Sequence, residues 1–260
     1  MARPVEREPG GPRRLRDLLL LGDDLVVATD SIGGIGPKPA DPVAADAATV
    51  AHFGLRVPLL EVICAGAEPI AVIDNLCVEL EPTGREMIAE IRRLAAAAGV
   101  PAEAVTGSTE DNVPTRATGI GVTVLGRLPE GGTGLGGSRV GDAVVCVGLP
   151  VSAPRDRIHI GHPQQVPVEA VVAALATGLV HDALPVGSKG LAWEVPQLAS
   201  TAGLVHEWVE PPPVPREDSG GPSSCVLLSC DPGDLADVRA TIPAGVPVKV
   251  VARLVNPGRE

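Results

Sequence analysis

Apolar residues recur along the chain at two spacings, alternate positions and three-to-four-residue steps, and these predict a succession of strands and helices. Asp17–Leu21 and Leu25–Thr29 read as two short strands joined by the Gly22-Asp23-Asp24 turn, followed by a Gly/Pro loop over Ser31–Pro42. Ala44–Gly66 has a helical pattern interrupted by Pro58, and Pro69–Leu80 is β-branched enough for a strand. Pro82 opens a helix that carries apolar residues through Ile88, Ile91 and Leu94 to a stop at Gly99. A strand near Val105, a polar stretch over Gly107–Asn112 and a strand over Gly119–Leu128 complete the first half.

Glu130-Gly-Gly-Thr-Gly-Leu-Gly-Gly-Ser138 is the best linker in the chain. Beyond it come a strand (Ala143–Val151), a helix (Val168–Thr177), a Gly187–Gly190 turn, a helix (Leu191–Ala202), a Pro/Gly/Ser loop over residues 210–223, a strand (Cys225–Cys230), a helical turn (Leu235–Arg239) and a last strand (Val248–Val255). The pattern predicts two α+β domains, 17–130 and 141–260, joined by residues 131–140. Residues 1–16, with five arginines and three prolines, read as a mobile tail.

Composition narrows the chemistry. A net charge of −11 argues against a nucleic-acid binder, and a chain with one Phe, two Trp and no Tyr offers no base-stacking platform. A 45% hydrophobic content is enough for a packed, largely aliphatic core. Five cysteines with no C-x-x-C read as reduced, buried thiols in a cytoplasmic protein, and no apolar run approaches the ~20 residues of a membrane span.

Four places carry acids or turn residues where a core would not want them. Gly22-Asp23-Asp24 and Thr29-Asp30-Ser31 suit ordinary strand-end chemistry, or a Mg²⁺ held by Asp23 or Asp24 together with Asp30. Glu61 stands alone in the apolar segment Val57–Ala65, and it either reaches solvent or ligates a metal. Gly107–Asn112 could present backbone N–H groups to phosphate, or form a plain turn. Gly187-Ser188-Lys189-Gly190 at a helix start could hold phosphate, although it lacks the P-loop spacing. The G-x-G-x-x-G of Gly132, Gly134 and Gly137 precedes a strand rather than a helix, which excludes a dinucleotide fingerprint. His159 and His162 read as solvent histidines, and no nucleophile motif occurs.

Gly22-Asp-Asp24, Thr29-Asp-Ser31, Gly66-Ala-Glu-Pro69 and Gly141-Asp142 occur in an order and at intervals that resemble the aminoimidazole ribonucleotide synthetase superfamily over residues 17–255. Its members include thiamine-monophosphate kinase, selenophosphate synthetase and a hydrogenase maturation factor. Five stretches (31–38, 79–84, 106–112, 184–190 and 220–225) more narrowly resemble α-ribazole kinases, which salvage the lower ligand of cobalamin.

The resemblance implies an α+β two-domain fold whose N-terminal α/β domain builds a barrel-like core with a second subunit, beside a C-terminal α+β domain. It implies ATP and Mg²⁺ as cofactors, a nucleoside-like substrate and a homodimer. It assigns Asp23, Asp24, Asp30, Glu61 and Glu110 to metal, and Thr29, Asp30, Lys38, Gly107, Ser108, Thr109 and Ser188 to the nucleotide. Asp111 is a candidate general base and Lys189 a candidate phosphate-neutralising group. One departure stands out: the relatives' Asp-x-Ser-Asp-Gly is here Val186-Gly-Ser-Lys-Gly190, with both acids lost. No cysteine precedes Cys64, against a selenophosphate synthetase, and Gly258-Arg259-Glu260 is not the cysteine-ended tail of the maturation factor. The expected activity is phosphorylation of the 5′-hydroxyl of α-ribazole. The alternatives are another kinase or synthetase of the superfamily, such as thiamine-monophosphate kinase, or a non-catalytic nucleotide binder.

Overall fold

The computed structural model describes residues 11–258. The first half contains β1 (Arg13–Leu15), β2 (Leu18–Leu21), β3 (Leu25–Gly33), β4 (Ile35–Gly36), β5 (Val43–Ala44), α1 (Ala47–Cys64), β6 (Glu68–Leu76), α2 (Arg85–Ala97), β7 (Val105–Thr109) and β8 (Gly119–Arg127). The second half contains β9 (Ala143–Val147), α3 (Val168–Ala176), β10 (Val180–Pro185), α4 (Leu191–Thr201), β11 (Val205–Trp208), β12 (Val226–Cys230), α5 (Leu235–Ala240) and β13 (Val248–Val255). Of the expected tail, residues 1–10 lie outside the described residues, whereas Arg13–Leu15 form β1 against β2. β10 and β11 have no counterpart in the sequence reading; both are short, and β11 alternates between exposed and half-buried positions.

Six strands form one sheet in the order β1-β2-β3-β8-β6-β7, antiparallel except for β6 with β7. The chain by itself makes an open sheet with β1 and β7 at its edges, not a closed barrel. Five strands form a second, antiparallel sheet in the order β10-β12-β9-β13-β11.

α1 is the central element. Asp46 caps it by accepting the Thr49 N–H at 2.6 Å, and it ends before Gly66, whose φ of +78° suits only a residue without Cβ. By length and hydropathy the helix could cross a bilayer, yet 78% of it is buried within the protein. Its close approach to β8 is permitted by Gly54 and Gly126: a Cβ at Gly54 would press on Ile120 and Val122, and one at Gly126 would strike Val62.

The sheet covers one side of α1, while β10 and α3 touch it from the second half. One hydrophobic core therefore runs through both halves, from Leu18 and Val26 through α1 to Val145, Leu228 and Ile242. The alternation along β9 shows how. Ala143, Val145 and Val147 join that common core, and Val144 and Cys146 face a second core under α4. Residues 131–140 are turns packed on both sides: Gly134 donates to Ala65 O at 3.1 Å and Gly136 to Asp182 Oδ2 at 3.0 Å. Cys64, Cys146, Cys225 and Cys230 are buried free thiols as expected, but Cys77 is exposed.

Candidate functional site

β2 pairs with β3 only as far as Leu19 opposite Val27, so the rest of β3 is bonded to β8 alone and its other edge is free. Thr29 and Asp30 lie on this free length and point to opposite faces of the sheet, as successive strand residues must. Thr29 faces outward beside Thr123, whose hydroxyl lies 3.1 Å from its own. Asp30 is half-buried on the side of α1, where burial raises its pKa against the hydrogen bond from Ser31.

Glu61 is brought to the same region by α1. Burial, then the carboxylates of Asp17 and Glu194, push its pKa up to about 8, with Asp30 adding to the effect and Arg16 opposing it. Glu194, on the first turn of α4, is 7% exposed and lies across the seam between the halves. Burial raises its pKa to about 7, assisted by Asp17 and opposed by the Gly187 N–H, Arg16 and Lys189. Four carboxyl groups from the β1–β2 turn, β3, α1 and α4 thus share one neighbourhood.

The cations there are already engaged. Arg16 is spent on Asp182, at 2.5 and 3.0 Å, with the Ala183 carbonyl and Thr201 hydroxyl completing its contacts. Lys189 stacks 3.8 Å above the Trp193 ring, one helical turn along α4. Lys189 therefore stands over an aromatic face rather than free at the helix start, and Ser188 beside it is exposed.

The remaining predicted acids do not converge with Asp30. β3 is continuous from Leu25, so six residues of strand hold Asp24 and Asp30 about 20 Å apart. Asp23, Asp24 and Asp30 of one chain cannot share an ion; the two former are exposed in their turn. Glu110 lies past the end of β7, three strands from β3, and accepts the Asn112 N–H at 2.8 Å. Among the described residues no three His, Cys, Asp or Glu side chains come close enough to enclose a metal. The seam suits a cation held by one or two carboxylates with phosphate oxygens filling its shell, which is how Mg²⁺ accompanies nucleotides. Asp17 is ion-paired with Arg14 at 3.0 Å, whereas Asp30, Glu61 and Glu194 have no ion-pair partner among the described residues, and that is the observation that fits it.

Gly107, Ser108 and Thr109 are not a turn but the edge strand β7, in parallel register with Asp74, Asn75 and Leu76. Gly107 is required there, since a Cβ would collide with the Asp74 main-chain oxygen and carboxylate. Asp74 is 4% exposed, has no hydrogen-bond partner among the described residues, and is raised by burial to about 6. Asp111, the candidate base, instead fixes a loop: it accepts from Leu80 N at 2.9 Å and the Thr109 hydroxyl at 2.7 Å, which lowers its pKa. Lys38 is ion-paired with Glu79, which also accepts from Thr83 at 2.7 Å and is held down to about 2.

Asp17, Arg16, Glu194 and Asp74 were missed. Glu194 could have been found as an acid in the first turn of an apolar helix, four residues after the Gly190 that closes a turn; Asp74 could have been found as the lone acid in a β-branched strand.

A hairpin feeding an acid-bearing strand, then a buried helix, then Gly66-Ala-Glu-Pro69 entering β6 is the arrangement that decides the comparison. Residues 17–128 match the family of AIR synthase related proteins, N-terminal domain. The matched stretch ends just after β8, before the linker. The whole chain shares its fold with several solved structures. A HypE–HypF complex superposes with a TM-score of 0.64 at 15% identity, covering 93% of this chain and 87% of that one. The hydrogenase maturation protein HypE in complex with ATP gives 0.65 at 15% identity, covering 90% and 77%. PurL of Thermotoga maritima complexed with AMPPCP gives 0.61 at 18% identity, covering 93% of this chain but 42% of that one. No curated protein sequence matches the chain.

Proposed function

We propose that this protein is a cytoplasmic, ATP-dependent phosphotransferase whose acceptor is the 5′-hydroxyl of α-ribazole, with the nucleotide bound as its Mg²⁺ complex along the seam. The observation that carries the reading is the group Asp30, Glu61 and Glu194, which share one neighbourhood on the α1 side of β3 without an ion-pair partner among the described residues. Solved structures of the same fold hold ATP or AMPPCP. One or two of Asp30, Glu61 and Glu194 would hold the metal, with phosphate oxygens completing its shell, and the metal when bound would screen phosphate charge. Glu194 puts a carboxyl back where Val186–Gly190 lacks one.

The acceptor rests on the resemblance to α-ribazole kinases, and three of the five stretches concerned meet at one end of the first sheet. Lys38 bonds Glu79, and Asp111 bonds the Leu80 N–H. Dimerisation is part of the reading: the outer face of that sheet carries the row Leu19, Val27, Leu125 and Ala71, with Leu19 41% exposed and no helix over it among the described residues. A second copy would cover it.

The test is ADP release from Mg-ATP with α-ribazole, with thiamine monophosphate as control acceptor. ADP and a phosphorylated nucleoside with α-ribazole alone support the reading. ADP only with another acceptor removes α-ribazole, and ATP-induced stabilisation without ADP under either acceptor removes the kinase.

A further inference from the structure

Arg56, in the middle of α1, is 2% exposed, and no carboxylate lies within ion-pair distance of it among the described residues. One of its terminal nitrogens, Nη2, donates to the Val166 carbonyl at 2.5 Å and the Ser223 carbonyl at 3.0 Å. Its Nε is buried and has no partner. The side-chain nitrogen of Gln165, the residue preceding Val166, is likewise buried and unpartnered in a residue 6% exposed.

Two orphan donors therefore flank one stretch of chain, and one of them carries a charge. Burial lowers the Arg56 pKa to about 10, which leaves the guanidinium protonated at neutral pH. The groups that oppose this are Glu169, which is exposed, and Cys225 and Cys64, whose thiols burial pushes well up and so keeps neutral. No carboxylate among the described residues pairs with the charge directly, and a buried cation is costly unless paired.

The surrounding backbone is closely packed and fixed in position. A Cβ at Gly148 would stand 2.7 Å from Ser224 O and 3.0 Å from Val166 N, and Ser223 holds a φ of +52°. The Ser224 hydroxyl accepts the Val151 N–H and lies within donating distance of Leu149 O and Gly220 O, so it is engaged away from Arg56.

We infer that Arg56 and Gln165 bind a small inorganic anion, of chloride size, in the seam between the two halves. The site is separate from the carboxyl cluster, whose charge would repel an anion, and it does not depend on the kinase reading. Its occupant supplies the missing negative charge and accepts from both orphan donors.

Bromide is the probe. Crystals soaked in sodium bromide should show an anomalous peak within hydrogen-bond distance of Arg56 Nε and Gln165 Nε2. In solution, sodium bromide should raise Tm saturably over sodium gluconate at equal ionic strength. Gln165→Leu, which keeps the volume and the arginine, should need roughly tenfold more bromide for the same shift, the loss of one charge-assisted hydrogen bond. Arg56→Met should abolish the shift; if that variant does not fold, Gln165→Leu alone decides. A water with no anomalous signal beside Arg56, or equal bromide responses in wild type and Gln165→Leu, would overturn the site.

Discussion

Arg16 and Asp182 meet across the seam as a two-pronged ion pair in which both side chains are almost wholly buried, 3% and 0% exposed. The turn between two short strands thereby binds the N-terminal half to β10. Asp182 also accepts the Gly136 N–H, so strand, linker and turn are held by one carboxylate. Arg16→Met should destabilise the protein by about 3–5 kcal/mol, because it strands a buried charge rather than merely deleting a contact. Urea unfolding monitored by circular dichroism measures it; a loss under 1 kcal/mol would mean the pair is solvated in solution.

Asp30 is the acid on the free length of β3 itself, and its charge adds to the raised pKa of Glu61. Asp30→Asn should lower kcat/KM with Mg-ATP by roughly a hundredfold or more, the scale on which preorganised electrostatic groups act. Its Tm should be unchanged or raised, since a repelling carboxylate is removed. Asp23→Asn, about 20 Å away along β3, should leave the rate of a monomeric site intact. Steady-state ADP release from the two variants separates the assignments.

Glu61 and Glu194 give a pH dependence of defined sign. Their folded pKa values, about 8 and about 7, lie above the ordinary carboxylate value, so the folded state holds protons the unfolded state has released. Their favourable contribution is complete below pH ~4 and falls as pH rises towards 8. Thermal melts from pH 5 to 9 should show stability declining over that window, and Glu61→Gln should flatten the decline. A wild-type curve rising through the same range would contradict the crowding of these acids.

Gly107→Ala places a methyl group where the Asp74 carboxylate and main-chain oxygen stand. A cost of about 1–3 kcal/mol is expected, as for overpacked cores. Gly99→Ala, where open space would receive the new Cβ, suffers only from its φ of +87° and isolates the backbone contribution. Denaturant midpoints of the pair decide whether the Asp74 packing is as tight as described.

Leu125→Lys puts a charge in the middle of the uncovered outer row of the first sheet. If that face pairs with a second copy, the variant should be monomeric at concentrations where the wild type is dimeric, with its melting temperature little altered for a monomeric reference. Sedimentation velocity gives the answer, and equal sedimentation of both proteins would remove this face as the dimer contact.

Most elements were legible because their signals are local. Asp46 and Gly66 bracket α1, and the unbroken apolar run of β9 fits a strand buried on both faces. The free edge of β3 was not legible, because it depends on β2 stopping at Leu18 while β3 continues, a matter of pairing rather than of pattern. For the same reason Gly107–Thr109 read as a turn although parallel pairing with β6 makes it a strand. In the site, Glu61 announced itself as the lone acid of an apolar segment and Asp30 as a strand-end acid, although β3 runs on past it to Gly33. Their partners Asp17 and Glu194 come from turns far away in sequence, and only the packing of the two halves brings them in.

α1 has two coverings, the first sheet and the α3–β10 layer, and they are made at different times. The sheet is complete once β8 leaves the ribosome, whereas β10 follows about 60 residues later, a delay of roughly 3–12 s at ordinary elongation rates. During that interval the far side of this long apolar helix, including Arg56, faces solvent. A nascent chain halted in the linker would thus display a hydrophobic surface of its own making, and its survival would depend on whatever chaperone reaches it before another chain does.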